Sequence, residues 1–134
     1  MADTRPAALV TGSATGIGRA EAIALAAAGY DVAVNYSSSA GAAEETAAAC
    51  AEHGAKTLVI GCDVAEDTQV KAMVAEANAA FGRLDALCNN AGITSTAPFK
   101  DLDAIDIDEW DRVMSVNVRS IVQVTRAAAP APTG

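Results

Sequence analysis

An α/β fold built on a parallel sheet is the class this sequence predicts, and two observations predict it. Short apolar runs alternate with helix-patterned segments through short connections, the pattern that wraps a parallel sheet with helices by right-handed crossovers. A glycine-rich run, Thr11-Gly12-Ser13-Ala14-Thr15-Gly16-Ile17-Gly18, lies between the first apolar run and the first helical segment. That is the place of a tight strand-to-helix turn at a sheet's carboxyl edge. The expected architecture is a doubly wound sheet of about four strands in the order 3-2-1-4.

The elements follow in order. The apolar run 7–11 is a first strand, and a helix from Gly16 to Ala28 is closed by Gly29, glycine being the usual residue past a helix end. Asp31-Val32-Ala33-Val34-Asn35 is a second strand. Ser37-Ser38-Ser39 supplies caps for an alanine-rich helix running to Gly54. Thr57-Leu58-Val59-Ile60 is short and apolar, as a strand buried on both faces should be. Val70, Met73, Val74, Ala77 and Phe81 keep helical spacing before Gly82. Leu84-Asp85-Ala86-Leu87-Cys88 is a fourth strand, and Trp110 to about Ala128 a long last helix. Residues 130–134, Pro-Ala-Pro-Thr-Gly, read as a frayed tail on a single domain covering 1–134.

Composition narrows the function. A hydrophobic fraction of 51% describes a globular chain. No apolar run approaches the roughly 20 residues of a membrane span, and the first residues lack a charged-then-apolar leader pattern. A cytoplasmic protein with no membrane partner is expected. The net charge of −8 and absence of a basic stripe speak against nucleic acid. Cys50, Cys62 and Cys88 have no C-x-x-C spacing, so neither a disulfide framework nor a metal site is expected. A catalytic thiol would need a partner base, and the sole histidine, His53, falls at a helix end.

The glycine run is suited to a diphosphate. Gly12 would make the turn, Gly16 would let a ligand approach the backbone, and Gly18 would let the helix pack on the sheet. Ser13, Thr15, Ile17 and Gly18 would bind the ligand with them, the free N–H groups at the helix start facing the negative charge. A tight turn without a ligand is the plainer alternative. Asn89-Asn90-Ala91-Gly92 follows the fourth strand directly. Alone it could be a simple turn, but in the order 3-2-1-4 the crevice between strands one and four is where ligands bind. Both motifs therefore fall on one crevice. At the end of strand two stands Asn35-Tyr36-Ser37-Ser38, where an NAD-selecting carboxylate is expected about 20 residues past the glycines. Without an acid there, nothing repels a 2′-phosphate and Ser37 or Ser38 could donate to it. NADP(H) is preferred and NAD(H) possible, although no arginine follows the strand.

The pair Thr11-Gly12-x-x-x-Gly16-x-Gly18 and Asn89-Asn90-Ala91-Gly92 resembles the short-chain dehydrogenase/reductase family, in particular its 3-oxoacyl-(acyl-carrier-protein) reductase-like members. The resemblance runs to about Ala129 and implies a Rossmann-like fold, NAD(P) as cofactor and a ketone or secondary alcohol as substrate, with 3-oxoacyl thioesters one candidate class. It implies that Asp63, with Val64, contacts adenine, the carboxylate accepting from the amine. It places Asn90, Ala91 and Gly92 around the adenosine ribose. Capping of the next helix is the alternative for Asp63. Asn117 lies within an apolar stripe of Trp110, Val113, Met114, Val118, Ile121 and Thr125. A buried amide needs partners, either backbone groups in the core or, as the resemblance implies, a bent helix and a relay water.

The family's chemistry also uses a serine and a Tyr-x-x-x-Lys pair. Neither Tyr30 nor Tyr36 has a lysine four residues on. The sequence is therefore expected to be the N-terminal piece of an oxidoreductase, a truncated Rossmann domain whose fourth strand forms an exposed edge prone to self-association. Intact family members are usually homo-oligomeric. The competing expectation is a non-catalytic nucleotide-binding module or sensor.

Overall fold

A computed structural model describes residues 5–98 and 100–130. Its sheet has four parallel strands, β1 (Ala7–Val10), β2 (Asp31–Tyr36), β3 (Thr57–Gly61) and β4 (Ala86–Cys88), in the order β3-β2-β1-β4. Helices α1 (Gly16–Ala27), α2 (Ala40–Ala51) and α3 (Asp67–Phe81) fill the crossovers. After β4 come a short 3₁₀ turn at Leu102–Ala104 and helix α4 (Ile107–Met114). A π-helical stretch, Ser115–Arg119, then runs directly into α5 (Ser120–Ala128).

Side chains alternate across the sheet, and each set meets its own helices. Val10, Val32 and Val34 pack against Ala22 and Ala26 of α1 and Ala43, Ala47 and Cys50 of α2. Leu9 and Ala33 face the other way, onto Val70, Met73, Val74 and Ala77 of α3 and Val116 and Val124 of the last helix. The first layer is alanine-rich on its inner helix faces, so α1 and α2 approach the sheet closely. The second uses larger side chains and carries the last helix as well.

Register fixes where loops emerge. Val10 pairs with Val34 on one side and with Cys88 on the other. The carboxyl ends of β1, β2 and β4 are thus level, and the segments at 11–18, 36–39 and 89–92 leave from one edge. At the opposite edge, Ala7 N donates to Asp85 Oδ2 at 2.9 Å. The Arg83 guanidinium and that N–H hold the Asp85 carboxyl below its ordinary range.

Three expectations are corrected. β3 is an outer strand whose Thr57, Leu58 and Val59 are only half-buried, because no fifth strand lies beyond it among the described residues. The last helix starts at Ile107, three residues before Trp110, because Asp106 caps it by accepting from Glu109 N at 2.7 Å. The stripe through Trp110, Met114, Val118 and Ile121 is exposed, by 41 to 58%. The buried face instead carries Val116, Ser120, Gln123 and Val124. The polar members are satisfied locally, Ser120 Oγ by the Val116 carbonyl and Gln123 Oε1 by Arg119 Nε, so burying them is tolerable. The tail expected at 130–134 lies outside the described residues except for Pro130.

The alanine layer sets a steric limit. Ala22→Leu is expected to overpack it and lower stability by about 1–3 kcal/mol. Urea unfolding should show a lower midpoint at an unchanged slope.

Candidate functional site

The site starts where β1 runs out. Gly12 and Gly16 both have φ +61°, a left-handed conformation that costs other residues roughly 1–2 kcal/mol. A Cβ on Gly12 would stand 2.9 Å from the Ala91 Cα. A Cβ on Gly18 would collide with the Gly12 carbonyl oxygen and the Asn90 side-chain nitrogen. These two glycines exist so that the turn, helix α1 and the 89–92 loop can touch. Gly16 is different, since a Cβ there would meet nothing within 4 Å of the protein.

Buried and half-buried polar side chains join the segments. Thr11 Oγ1 accepts from Asn90 N and Ala91 N, both at 3.0 Å, while Thr11 N donates to the Cys88 carbonyl. Asn90 Nδ2 donates back to the Gly12 carbonyl at 3.0 Å. From the other side, Asn35 Oδ1 accepts from Gly12 N at 2.9 Å, and its Nδ2 reaches the carbonyls of Ile60 and Cys62 at 3.2 and 3.3 Å. Ser13 Oγ donates to the Val10 carbonyl and accepts from Asn35 N.

These contacts bound a cleft of about 270 Å³. Of the residues singled out from sequence, Gly12, Thr15, Ser37, Asp63, Val64, Asn90, Ala91 and Gly92 line it. Ser13 is fully buried beneath the turn, and Gly18 packs against the opposite loop. Ile17 is 75% exposed on the first turn of α1. The side chain of Thr15 makes no cap bond to α1, and that helix carries no acid in its first turn. Its leading N–H groups therefore offer an open, partly positive end.

Asn117 is half-buried rather than sealed in the core. Its Oδ1 accepts from Ile93 N and its Nδ2 donates to the Ile93 carbonyl, both at 2.8 Å. The amide therefore anchors the chain just after Gly92. It sits in the π-helical stretch, where Ser120 N bonds the Ser115 carbonyl five residues back, so the helix is locally widened there.

Sequence reasoning gave no role to Asn35 or Arg112. Asn35 was detectable as an amide ending an otherwise apolar strand. Arg112 Nη1 donates to Asp63 Oδ2 at 2.9 Å across 49 residues of sequence, a separation that no local pattern reveals. Ala65 N donates to Asp63 Oδ1 at 3.0 Å, so Asp63 turns its own loop; it does not cap α3, whose N-cap is Glu66.

Thiol chemistry is not supported. Burial, helped by the Asp63 carboxylate, pushes the Cys62 thiol up to about 11, and burial raises Cys50 and Cys88 as well. His53 is exposed in the turn after α2. Among the described residues, no group of three or more His, Cys, Asp or Glu side chains could hold a metal, and no helix is long and apolar enough to cross a membrane.

A four-stranded parallel sheet with a cleft at its strand-order reversal defines a doubly wound α/β ligand-binding domain. The sequence pattern of the family described as short chain dehydrogenase matches residues 6–133, and the chain belongs to that family. It is 43% identical over 121 residues to the short chain dehydrogenase/reductase AacuN of Aspergillus aculeatus, covering 90% of this chain and 45% of that protein. It is 41% identical over 123 residues to the 3-oxoacyl-[acyl-carrier-protein] reductase FabG of Staphylococcus aureus, covering 92% of this chain and 49% of that one. A solved short chain dehydrogenase from Burkholderia cenocepacia, in complex with NADP, superposes with a TM-score of 0.86 at 40% identity, over 92% of this chain and 49% of that structure. The chain thus spans about half the length of the curated relatives it matches. The family's members are oxidoreductases.

Two outcomes follow from this geometry. Gly18→Ala should destabilise by more than about 3 kcal/mol because backbone must move, whereas Gly16→Ala should cost about 1 kcal/mol from φ alone; denaturant titration separates them. Cys62 should resist iodoacetamide at pH 7.5 in the folded protein and react once denatured. The same burial contribution to stability is whole below the thiol's ordinary value of 9.0 and declines as pH rises toward about 11.

Proposed function

We propose that these residues form the cofactor-binding part of an NAD(P)-dependent short-chain oxidoreductase. The whole protein would transfer hydride between the nicotinamide and a ketone or secondary alcohol, with 3-oxoacyl thioesters a candidate substrate class. The observation that carries this reading is the uncapped start of α1 opening onto a cleft formed with the loop after β4. Gly16 stands exposed beside the cleft rather than among its lining residues, with open space where a Cβ would be, so a ligand reaching past Thr15 could approach the backbone there.

In this reading the diphosphate meets the N–H groups at the start of α1, where the helix field favours anions. Asn90, Ala91 and Gly92 border the ribose, and Asp63 with Val64 receives the adenine. The cofactor supplies the hydride; the protein's part here is to bind and orient it. Ser37, Ser38 and Ser39 line the β2 end of the cleft with hydroxyls and no acid, which supports NADP(H) over NAD(H). Asn117 fixes the position of Ile93 behind the ribose loop and, with its widened helix, belongs to the proton-handling side. A cytoplasmic setting goes with this assignment.

Reduction of a carbonyl also needs an acid to protonate the developing alkoxide, a step worth roughly 10²- to 10⁴-fold. The serine and Tyr-x-x-x-Lys pair that the family uses do not occur within these 134 residues. We therefore assign cofactor binding to this chain and place proton donation outside it.

Isothermal titration of the purified chain with NADP⁺ should give saturable binding, and Gly16→Val should weaken it by about tenfold or more, with a cost in stability of about 2 kcal/mol from the left-handed backbone. A folded sample that binds neither NADP⁺ nor NAD⁺ would overturn the assignment.

A further inference from the structure

Helix α2 buries Ala43, Ala47 and Cys50 against the sheet, and among them it buries one hydroxyl, that of Thr46. Thr46 is fully buried and is the only serine or threonine within the helix. Its Oγ1 lies 3.0 Å from the Ala14 carbonyl and 3.2 Å from that of Ala42. A hydroxyl has a single proton to give. The helix itself serves the Ala42 carbonyl, through the N–H four residues on. The Ala14 carbonyl, in the glycine-rich turn, has no other donor among the described residues. The proton therefore goes to Ala14, across 32 residues of sequence.

We infer that Thr46 is a positioning residue for the anion-binding turn, setting the direction of the Thr15 N–H from outside the cleft. This rests on the reading above, in which a diphosphate meets the start of α1. In a trans peptide the C=O and the following N–H point in opposite directions. Drawing the Ala14 carbonyl back onto α2 thus aims the Thr15 N–H the other way, and Thr15 lines the cleft. That N–H has no partner among the described residues. The N–H groups before it in the turn are engaged, Gly12 N by Asn35 Oδ1 and Ser13 N by the Asn35 carbonyl.

Carbonyl oxygens aimed into the cleft would repel an anion. Those of Gly12, Ala14 and Thr15 are each held by a protein donor: Asn90 Nδ2, Thr46 Oγ1 and Arg19 N. The second of these comes from an element that contributes no lining residue to the cleft. Ala14 is only 7% exposed. Without the hydroxyl, its carbonyl finds water only by turning toward the cleft, and the Thr15 N–H turns away with it. A side chain that merely filled this layer would be an alanine, like its neighbours.

The test follows the amide resonances of the isotope-labelled chain during titration with adenosine diphosphate and with adenosine, which lacks the diphosphate. In wild type the Thr15 amide should shift with adenosine diphosphate and stay in place with adenosine. Thr46→Val keeps the shape and loses the donor; it should weaken adenosine diphosphate by about tenfold and adenosine by less than about twofold. Thr46→Ser, which keeps the donor, should restore most of the affinity. Equal losses for the two ligands, or a lower melting temperature with both affinities kept, would overturn the inference and leave the reading of the cleft standing. If Thr46→Val does not fold, Thr46→Ala removes the same hydroxyl from a helix rich in alanine, and an unchanged ratio of the two affinities there overturns it. Folded wild type that binds neither NADP⁺ nor adenosine diphosphate removes the proposed function, and this inference with it.

Discussion

Three polar side chains, two buried and one half-buried, shape the cleft, and everything proposed for this chain depends on them. Thr11, Asn35 and Asn90 connect the first turn to the ends of β2, β3 and β4 by hydrogen bonds to backbone groups. Strand ends are where ladder partners run out, so N–H and C=O groups there need other partners. A buried polar group left unpaired costs roughly 1–3 kcal/mol. Losing one of these side chains would orphan several groups at once. The network therefore couples the shape of the cleft to the stability of the sheet. It also explains why an asparagine, a residue depleted in strands, occupies the next-to-last position of β2.

Most of the fold could be read from the chain because its signals are local. Gly29, Gly54 and Gly82 follow helices with positive φ, where sequence spacing put them. Short connections and crossover handedness give the parallel sheet, and its order, 3-2-1-4, is that of the doubly wound class; neither needs side-chain detail. The last helix resisted the same reading. Its apolar residues are at helical spacing, yet the face they form points outward, while Ser120 and Gln123 point in. Periodicity identifies a face; it does not say which neighbour the face meets. That choice is made by docking on α3 and the loop before it, through Val116, Val124, Arg119 and Arg126, contacts between residues some fifty apart.

The site divides along the same line. Glycine patterns report backbone conformation and close approach, so the turn at 12–18 and the loop at 90–92 were found, and the structure brings them together. Side-chain pairings across the fold were not found. In the sequence Asp63 stands out but its partner Arg112 does not, and Asn117 stands out but Ile93 does not. In each case the missing partner lies on a different element and has no fixed spacing from the residue that was seen. Ser13 shows the converse. It belongs to the glycine run by position, but its hydroxyl is turned into the protein because Val10 and Asn35 offer it two backbone partners.

A net charge of −8 and a pI near 4.4 look unfavourable for an anionic ligand. Distance settles the matter. At physiological salt the screening length is about 8 Å, so acids spread over the surface act weakly on a group held in the cleft. What the proposed ligand would meet is the local field: the partly positive start of α1, a row of serine hydroxyls after β2, and one acid paired with one arginine. The first is attractive, the second neutral, and the third cancels. An acidic protein can thus keep an anion site without a lysine or arginine directed at the phosphates, provided backbone N–H groups point at it. The glycines of the first turn secure that orientation.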